Sequence, residues 1–218
     1  NYAFAFSNAK TIEINSRITS IGDYAFYDVI NAKIEIPDSV KIIGNRAFHL
    51  CKTQAVLNLK SVESIGCEAF TDNSTIIKII LSGGDIKLEP YALFRINNLS
   101  ELTISGKNID IGEKAFMSCG ELFSVKIKGE NTTLNKSVFL RDDSLENLVI
   151  EGGTLRGLEC MAFSFNRVLK GVTVPRNIVN SDSKAFALVR CIRYPGTKEE
   201  WDRFGFKLEY SETVYYNY

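Results

Sequence analysis

An alanine-phenylalanine pair recurs at nearly even spacing along this chain, and this repetition constrains the architecture more than any other feature. Successive pairs lie 22 to 24 residues apart. Leu93 replaces the phenylalanine in one copy, and Val138 replaces the alanine in another. The second members of the pairs are Phe4, Phe26, Phe48, Phe70, Leu93, Phe116, Phe139, Phe163 and Phe186. Self-similarity of this length predicts one structural unit copied end to end rather than a globular domain with a unique core.

Each copy also contains two apolar residues separated by one residue, which is typical of a short strand with one buried face. We therefore expect one short strand per repeat. Pro37, Pro175 and Pro195 directly follow such strands, and each should end its strand because proline has no N–H to donate. The paired positions are Ile12 and Ile14, Ile34 and Ile36, Leu57 and Leu59, Ile79 and Leu81, Leu102 and Ile104, Val125 and Ile127, Leu148 and Ile150, and Val172 and Val174.

A unit of this length cannot enclose its own apolar side chains, so neighbouring units must stack to bury them. Parallel strands about 4.8 Å apart would then build an elongated, curved coil. A turn position before each Ala-Phe pair favours small or polar residues that tolerate positive φ, so we expect a left-handed bend there. It is occupied by Gly22, Gly44, Gly66, Gly112, Asn135 and Asp182.

The segments Ser20–Phe26 and Ile34–Phe48 show the full unit, and they resemble the repeat of the BspA-type leucine-rich repeat family. The resemblance extends from residue 1 to about residue 193. It implies an α/β repeat solenoid, a right-handed leucine-rich-repeat coil with one short parallel strand per repeat and a C-terminal cap. Residues 1–193 would form the solenoid of about nine repeats, the first one partial, and residues 194–218 would form the cap.

The resemblance also implies a bacterial extracellular or cell-surface protein that adheres to host tissue or to other cells. Its partner would be a protein or a glycan on a host or neighbouring cell. No catalytic residue set belongs to the family, so we expect none. We also expect no metal or cofactor, because the chain contains no ligand motif; Asp142 and Asp143, for example, lack the spacing of a calcium loop. The chain starts at Asn1, inside a partial repeat, and we expect its natural N-terminus and any export signal to precede that residue.

The segment after Pro195 predicts a helical cap for the last coil. Thr197 and Glu200 fit a capping box, so a short helix should run from about Lys198 to Phe204. Trp201 should lie over the end of the hydrophobic column rather than serve as a binding aromatic. The remaining residues, 206–218, are compatible with either a closing strand or a linker.

Composition excludes two classes of partner. The chain has 26 basic and 26 acidic side chains and no cluster of Lys and Arg, so nucleic acid binding is not expected. No apolar run approaches the roughly 20 residues needed to cross a bilayer.

Candidates for chemistry are few. The only histidine, His49, has no recognisable nucleophile motif beside it, and we interpret it as a partly exposed surface residue. The cysteines do not follow metal or disulfide spacing, and we interpret them as structural thiols. They are Cys51, Cys67, Cys119, Cys160 and Cys191.

The outward residues between the paired apolar positions form the leading candidate for a partner-binding row. A curved coil would present this row as a broad, fixed surface suited to a protein or glycan. The alternatives are a structural spacer that displays another domain and has no ligand of its own, and an enzyme or hydrolase accessory. The row contains Glu13, Glu35, Asn58, Ile80, Thr103, Lys126, Val149 and Thr173.

Overall fold

The protein forms a parallel β-solenoid of about nine turns. The computed structural model describes residues 1–186, 189–208 and 213–218, apart from the side chain of Lys33. In chain order the strands are β1 (Thr11–Glu13), β2 (Ser20–Ile21), β3 (Lys33–Glu35), β4 (Ile42–Ile43), β5 (Val56–Leu59), β6 (Ser64–Ile65), β7 (Lys78–Ser82), β8 (Asp85–Leu88), β9 (Glu101–Ile111), β10 (Ser124–Leu134), β11 (Asn147–Leu158), β12 (Gly171–Thr173), β13 (Asn177–Val179), β14 (Cys191–Arg193) and β15 (Thr213–Tyr215).

These strands form two parallel ladders rather than the single ladder that the sequence predicts. The first ladder contains β5, β7, β12, β14 and β15, and the second contains β2, β4, β6, β8 and β13. Strands β1 and β3 occupy the position of the first ladder in the first coils, but they pair with each other in a separate two-stranded sheet. Strands β9, β10 and β11 are long enough to belong to both. The second ladder arises because the residue before each turn, such as Ile43 or Ile65, pairs with its equivalent in the next coil. The expectation of one strand per repeat is therefore wrong.

The α/β class is not confirmed, because the one helix among the described residues is α1 (Lys198–Asp202). The corners from Phe4 to Phe163 are instead compact turns, with left-handed backbone two residues before and two residues after the phenylalanine or its replacement Leu93. Around Phe26 these positions are Tyr24, with φ 57°, and Asp28, with φ 54°. Their N–H groups donate to carbonyls of the next coil, at Asn45 and His49. The corners therefore form a third hydrogen-bonded column along the solenoid.

The turn glycines Gly44, Gly66 and Gly112 allow close approach between coils and do not have positive φ, so the expected left-handed bend at that position is wrong. Positive φ among the described glycines occurs at Gly152, Gly157 and Gly205. At Gly44, a Cβ would lie 2.6 Å from the backbone nitrogen of Asp23 in the preceding coil. A larger residue would therefore push the two coils apart.

The aromatic residues of the Ala-Phe pairs stack along the axis, as the sequence predicts. Phe48 and Phe70 are fully buried, with ring centroids 5.0 Å apart and planes within 6°. Phe4 begins the column and is 45% exposed. Leu93, also fully buried, interrupts the aromatic series in the middle. One hydrophobic spine therefore runs through the coils.

The cap confirms the predicted capping box. The Thr197 hydroxyl accepts from the Glu200 N–H, and the Glu200 carboxylate accepts from the Thr197 N–H. The helix ends at Asp202, two residues before the predicted end. Trp201 is 4% exposed, and its ring packs 5.6 Å from that of Phe186, the last member of the spine.

A closing strand follows the helix. Strand β15 pairs in parallel with β14, so this part of the C-terminal segment extends the first ladder and is not a linker. Residues 209–212, which the same expectation covered, lie outside the described residues. The proposed boundary between solenoid and cap, at residues 193 and 194, stays a prediction.

Candidate binding surfaces

The outward row predicted from the sequence lies on the first ladder, but it is interrupted. Glu13 lies opposite Glu35 in a separate two-stranded sheet, and in the part of the chain that the structure describes β3 does not pair with β5. The row resumes at Asn58 and then continues without a break. From Asn58 onward it contains Asn58, Ile80, Thr103, Lys126, Val149, Thr173, Arg193 and Tyr215.

Sequence reasoning missed the last two members of this row. Arg193 lies opposite Thr173, and Tyr215 lies opposite Arg193. Tyr215 is exposed, and the Arg193 guanidinium lies 5.5 Å from the ring of Tyr218. The signal was available for Arg193, because Ile192 and Tyr194 repeat the two-apolar pattern. The strand at Tyr215 has no such pattern.

Ion pairs cross neighbouring coils on this face. The Lys126 ammonium lies 3.2 Å from the Glu151 carboxylate, and the Lys78 ammonium lies 2.6 Å from that of Glu101. Because all four side chains are well exposed to water, these pairs contribute little to stability. The face is therefore rigid in its backbone, mixed in charge and open to a partner.

A second outward row, which the sequence analysis did not identify, runs along the second ladder. The Asn108 side-chain amide donates to the Asp85 carboxylate at 2.7 Å, and the Asn131 amide donates to the Asn108 amide oxygen at 2.8 Å. The Arg156 Nε then donates to the Asn131 amide oxygen at 2.8 Å. We call these four residues the amide row. Asp85, Asn108 and Asn131 recur every 23 residues, a periodicity that could have revealed the row.

The amide row lies in a shallow cleft of about 490 Å³. Ile86 and Ile109 line the cleft between the polar side chains, and their own side chains belong to the hydrophobic core. Lys87 and Asp110 lie on its margin. The cleft is open along its length, so it suits an extended ligand better than a compact one.

His49 lies on a corner of the third coil, and most of its side chain is covered. Its ring stacks on that of Tyr27, with centroids 5.1 Å apart, and its Nδ1 lies 3.9 Å from the Glu68 carboxylate. Burial lowers the pKa of His49. Glu68 is already engaged by the guanidinium of Arg46 through two hydrogen bonds. The histidine therefore belongs to an aromatic stack.

The cysteines are free thiols, and the two buried ones donate to backbone carbonyls. Cys51 donates to the Val29 carbonyl, and burial raises its pKa to about 12. Cys119 donates to the Leu93 carbonyl, and burial raises its pKa well above the ordinary value. A thiol held in its protonated form is a poor nucleophile. These contacts support a structural role.

In residues 1–186, 189–208 and 213–218, no group of three or more His, Cys, Asp or Glu side chains is arranged to hold a metal ion. Over the same residues, no helix has the length and apolar character of a membrane-spanning segment.

Comparisons with known proteins agree with this geometry. The model of the family described as "BspA type Leucine rich repeat region" matches six copies, over residues 1–120 and 86–204. A leucine-rich cell surface protein of Faecalibacterium prausnitzii has a TM-score of 0.50 at 20% identity, covering 92% of this chain and 64% of its own. A leucine-rich repeat protein of Bacteroides ovatus has a TM-score of 0.52 at 15% identity, covering 95% of this chain and 84% of its own. No curated protein matches.

The present chain thus spans less than two thirds of the Faecalibacterium protein. At these identities the two solved structures establish a shared fold.

Proposed function

The chain belongs to the BspA-type leucine-rich repeat family, and we propose that it is a non-enzymatic bacterial adhesion protein that binds a protein or glycan on a host or neighbouring cell. Repeat solenoids of this family are generally non-catalytic. The observation that carries the proposal is the unbroken outward row of the first ladder, from Asn58 to Tyr215. Seven steps of strand spacing give it a length on the order of 35 Å.

A surface of this kind suits a large partner. The row is open to solvent, whereas sites for small molecules are enclosed and mostly apolar. A protein–protein interface of standard size buries about 800 Å² per partner, and a row of this length with its flanking residues can supply that area. Adjacent acidic, basic and neutral side chains would determine which partner fits.

An extracellular or cell-surface location is part of this proposal. It is supported by the family and by the Faecalibacterium neighbour, which is described as a cell surface protein. The five cysteines are free thiols, so the fold does not depend on an oxidising compartment for disulfide formation.

Binding to arrays of host-matrix proteins, glycans and whole bacterial and epithelial cells tests the proposal. The informative variant is Lys126→Glu, which reverses a charge in the centre of the first ladder. The matched control is Lys52→Glu, which makes the same change at an exposed residue outside both ladders. We expect Lys126→Glu to weaken binding several-fold and Lys52→Glu to leave it unchanged.

Two results would contradict the proposal. If the folded chain binds nothing in the arrays, the spacer alternative is favoured. If both charge reversals weaken binding equally, the effect is one of overall charge, and the first ladder is not the binding face.

A further inference from the structure

We propose that the amide row of the second ladder binds an uncharged saccharide. This inference deepens the proposed function, because it names one ligand class and assigns it to a surface separate from the first ladder. It rests on the arrangement of Asp85, Asn108, Asn131 and Arg156 along one cleft, across four successive coils.

The row is a hydrogen-bond chain with one direction. Arg156 donates to Asn131, Asn131 donates to Asn108, and Asn108 donates to Asp85. A carboxylate therefore ends the chain on the N-terminal side and a guanidinium ends it on the C-terminal side. The backbone supports this order, because Asp85, Asn108 and Asn131 are direct register partners in adjacent strands.

Each member keeps hydrogen-bonding capacity beyond the chain itself. A primary amide has two N–H groups and two oxygen lone pairs, and the chain uses one of each at Asn108 and Asn131. Asp85 has a second carboxylate oxygen, and Arg156 has further N–H groups. The cleft thus offers donors and acceptors side by side at strand spacing. Neighbouring hydroxyls of a sugar ring, each both donor and acceptor, complement that alternation.

The same hydrogen bonds fix the side chains before a ligand arrives. Ordering a flexible polar side chain on binding costs about 0.5 to 1.5 kcal/mol. Here the exposed amides are already oriented by their neighbours in the adjacent coils. A ligand that forms only hydrogen bonds can therefore bind to this row with a small entropic cost.

The charges around the cleft favour a neutral ligand. Two of the charged side chains that line it are paired outside the row, Lys87 with Glu89 at 2.6 Å and Glu63 with Lys41 at 2.8 Å. The Asp110 carboxylate keeps its charge and accepts from the Asn135 amide at 3.0 Å. The two charged ends of the row, Asp85 and Arg156, have opposite signs. A strongly acidic or basic ligand would meet one favourable end and one unfavourable end.

An extended peptide fits this cleft less well than a saccharide. Peptides that bind to sheets commonly add a strand at an open edge and use its backbone groups. Strands β9 and β10 are interior strands, each paired with a coil on both sides. Their backbone groups are therefore occupied, and the cleft presents side chains alone.

The test is a titration of the folded chain, labelled with ¹⁵N, with uncharged linear oligosaccharides of glucose, mannose, galactose and N-acetylglucosamine. We expect at least one of them to shift the side-chain amide resonances of Asn108 and Asn131. The variant Asn108→Ala/Asn131→Ala should bind that oligosaccharide about tenfold more weakly. The matched control is Asn97→Ala, which removes an exposed asparagine from a turn outside both ladders. It should bind normally, and circular dichroism would verify that both variants are folded.

Three outcomes would overturn the inference: none of the oligosaccharides shifts these resonances, Asn97→Ala weakens binding as much as the double variant, or the row responds to peptides and not to sugars. The cell-binding assay separates this inference from the proposed function. Adhesion that is lost in Lys126→Glu and kept in the double variant would retain the first ladder as the adhesive face and exclude the amide row from adhesion.

Discussion

The first three complete coils and the three coils that follow Leu93 share one spine but differ in how their strands are built. In the N-terminal coils the strands are β1 to β4 and β6, each two or three residues long, together with the four-residue β5. In the central coils, β9 to β11 are 11 or 12 residues long and join both ladders. The Ala-Phe spine therefore specifies the coil, while other residues decide whether the two ladders are separate or continuous.

Glycine makes the continuous strands possible. Gly106, Gly129 and Gly152 are register partners at the same bend of β9, β10 and β11. A Cβ at Gly152 would lie 2.0 Å from the Gly129 carbonyl oxygen, so there is no room for a side chain between the coils at this bend. In the N-terminal coils Pro37 follows β3 and ends that strand instead, because it has no N–H for a ladder.

Removing a phenylalanine ring from the spine in the central coils should have the largest effect on stability. Phe116 is fully buried between coils, and Phe116→Ala should lower the free energy of unfolding by about 3 to 5 kcal/mol. Phe4→Ala, at the exposed start of the spine, should cost about 1 kcal/mol or less because little area is lost there. Urea denaturation followed by circular dichroism measures both values. Equal losses would mean that the spine is no better packed in the centre than at its start.

A methyl group at the glycine bend should be the next most damaging change. Gly152→Ala meets the Gly129 carbonyl and a φ of 115°, so it should destabilise the protein by about 1 to 3 kcal/mol. Gly84→Ala is the control, since a Cβ there has no neighbour within 4 Å. Thermal unfolding of the two variants measures the difference in their stability. If Gly152→Ala is tolerated as well as the control, close approach at the bend does not maintain the long strands.

A buried carboxyl in the central coils should make stability depend on pH. Asp142 accepts from the Cys119 N–H, but its Oδ2 has no hydrogen-bond partner, and burial raises its pKa well above the ordinary value. In the unfolded chain this carboxyl ionises above a pKa of about 3.9. The unfolded state is therefore favoured increasingly as pH rises from there toward the folded pKa.

Asp142→Asn should remove this penalty. An amide at residue 142 can donate to backbone carbonyls, as Asn166 does to Phe139 and Phe163 in the next coil. We expect a gain of about 1 to 3 kcal/mol at pH 7, shrinking as the pH approaches 4. Unfolding curves at several pH values test the sign. A constant difference across this range would show that Asp142 is not protonated in the fold.

Breaking a surface ion pair should have the smallest effect on the free energy of unfolding. This effect should be the same in the N-terminal and the central coils. Lys41 and Glu63 pair in the N-terminal coils, and Lys78 and Glu101 pair near the central ones. Lys41→Ala and Lys78→Ala should each leave the free energy of unfolding almost unchanged, because both pairs are exposed to water. Urea denaturation at low and high salt measures both. A large, salt-sensitive loss at either site would contradict this expectation.

The sequence predicts what repeats and misses what depends on contact between repeats. Phe48 and its equivalents predict the stacked coils and the phenylalanine spine. Pro37 predicts the end of a strand, and Thr197 predicts the capping box. Each of these residues acts through its own local geometry. The second ladder does not follow, since a residue such as Ile43 pairs only when the next coil is in place. The sequence also does not show why glycine is present at residue 44, because the backbone that it approaches, at Asp23, belongs to the preceding coil.

The candidate binding surfaces also include one row that the sequence predicts and one that depends on contacts between coils. The first ladder's outward row could be located from strand alternation, except for the break after Glu35 and the extension to Tyr215. The amide row could not be located in this way, because Asn108 and Asn131 act through hydrogen bonds to side chains 23 residues away in sequence. Alternation within one strand carries no information about such partners.

The left-handed residues of each corner make every coil dependent on its neighbour. Such backbone costs roughly 1 to 2 kcal/mol per non-glycine residue, and Tyr24 and Asp28 are two examples in one coil. The N–H groups that offset this cost donate to the following coil, so an ordered coil acts as the template on which an adjacent one forms. Unfolding should accordingly begin as fraying at a terminus and propagate inward, coil by coil.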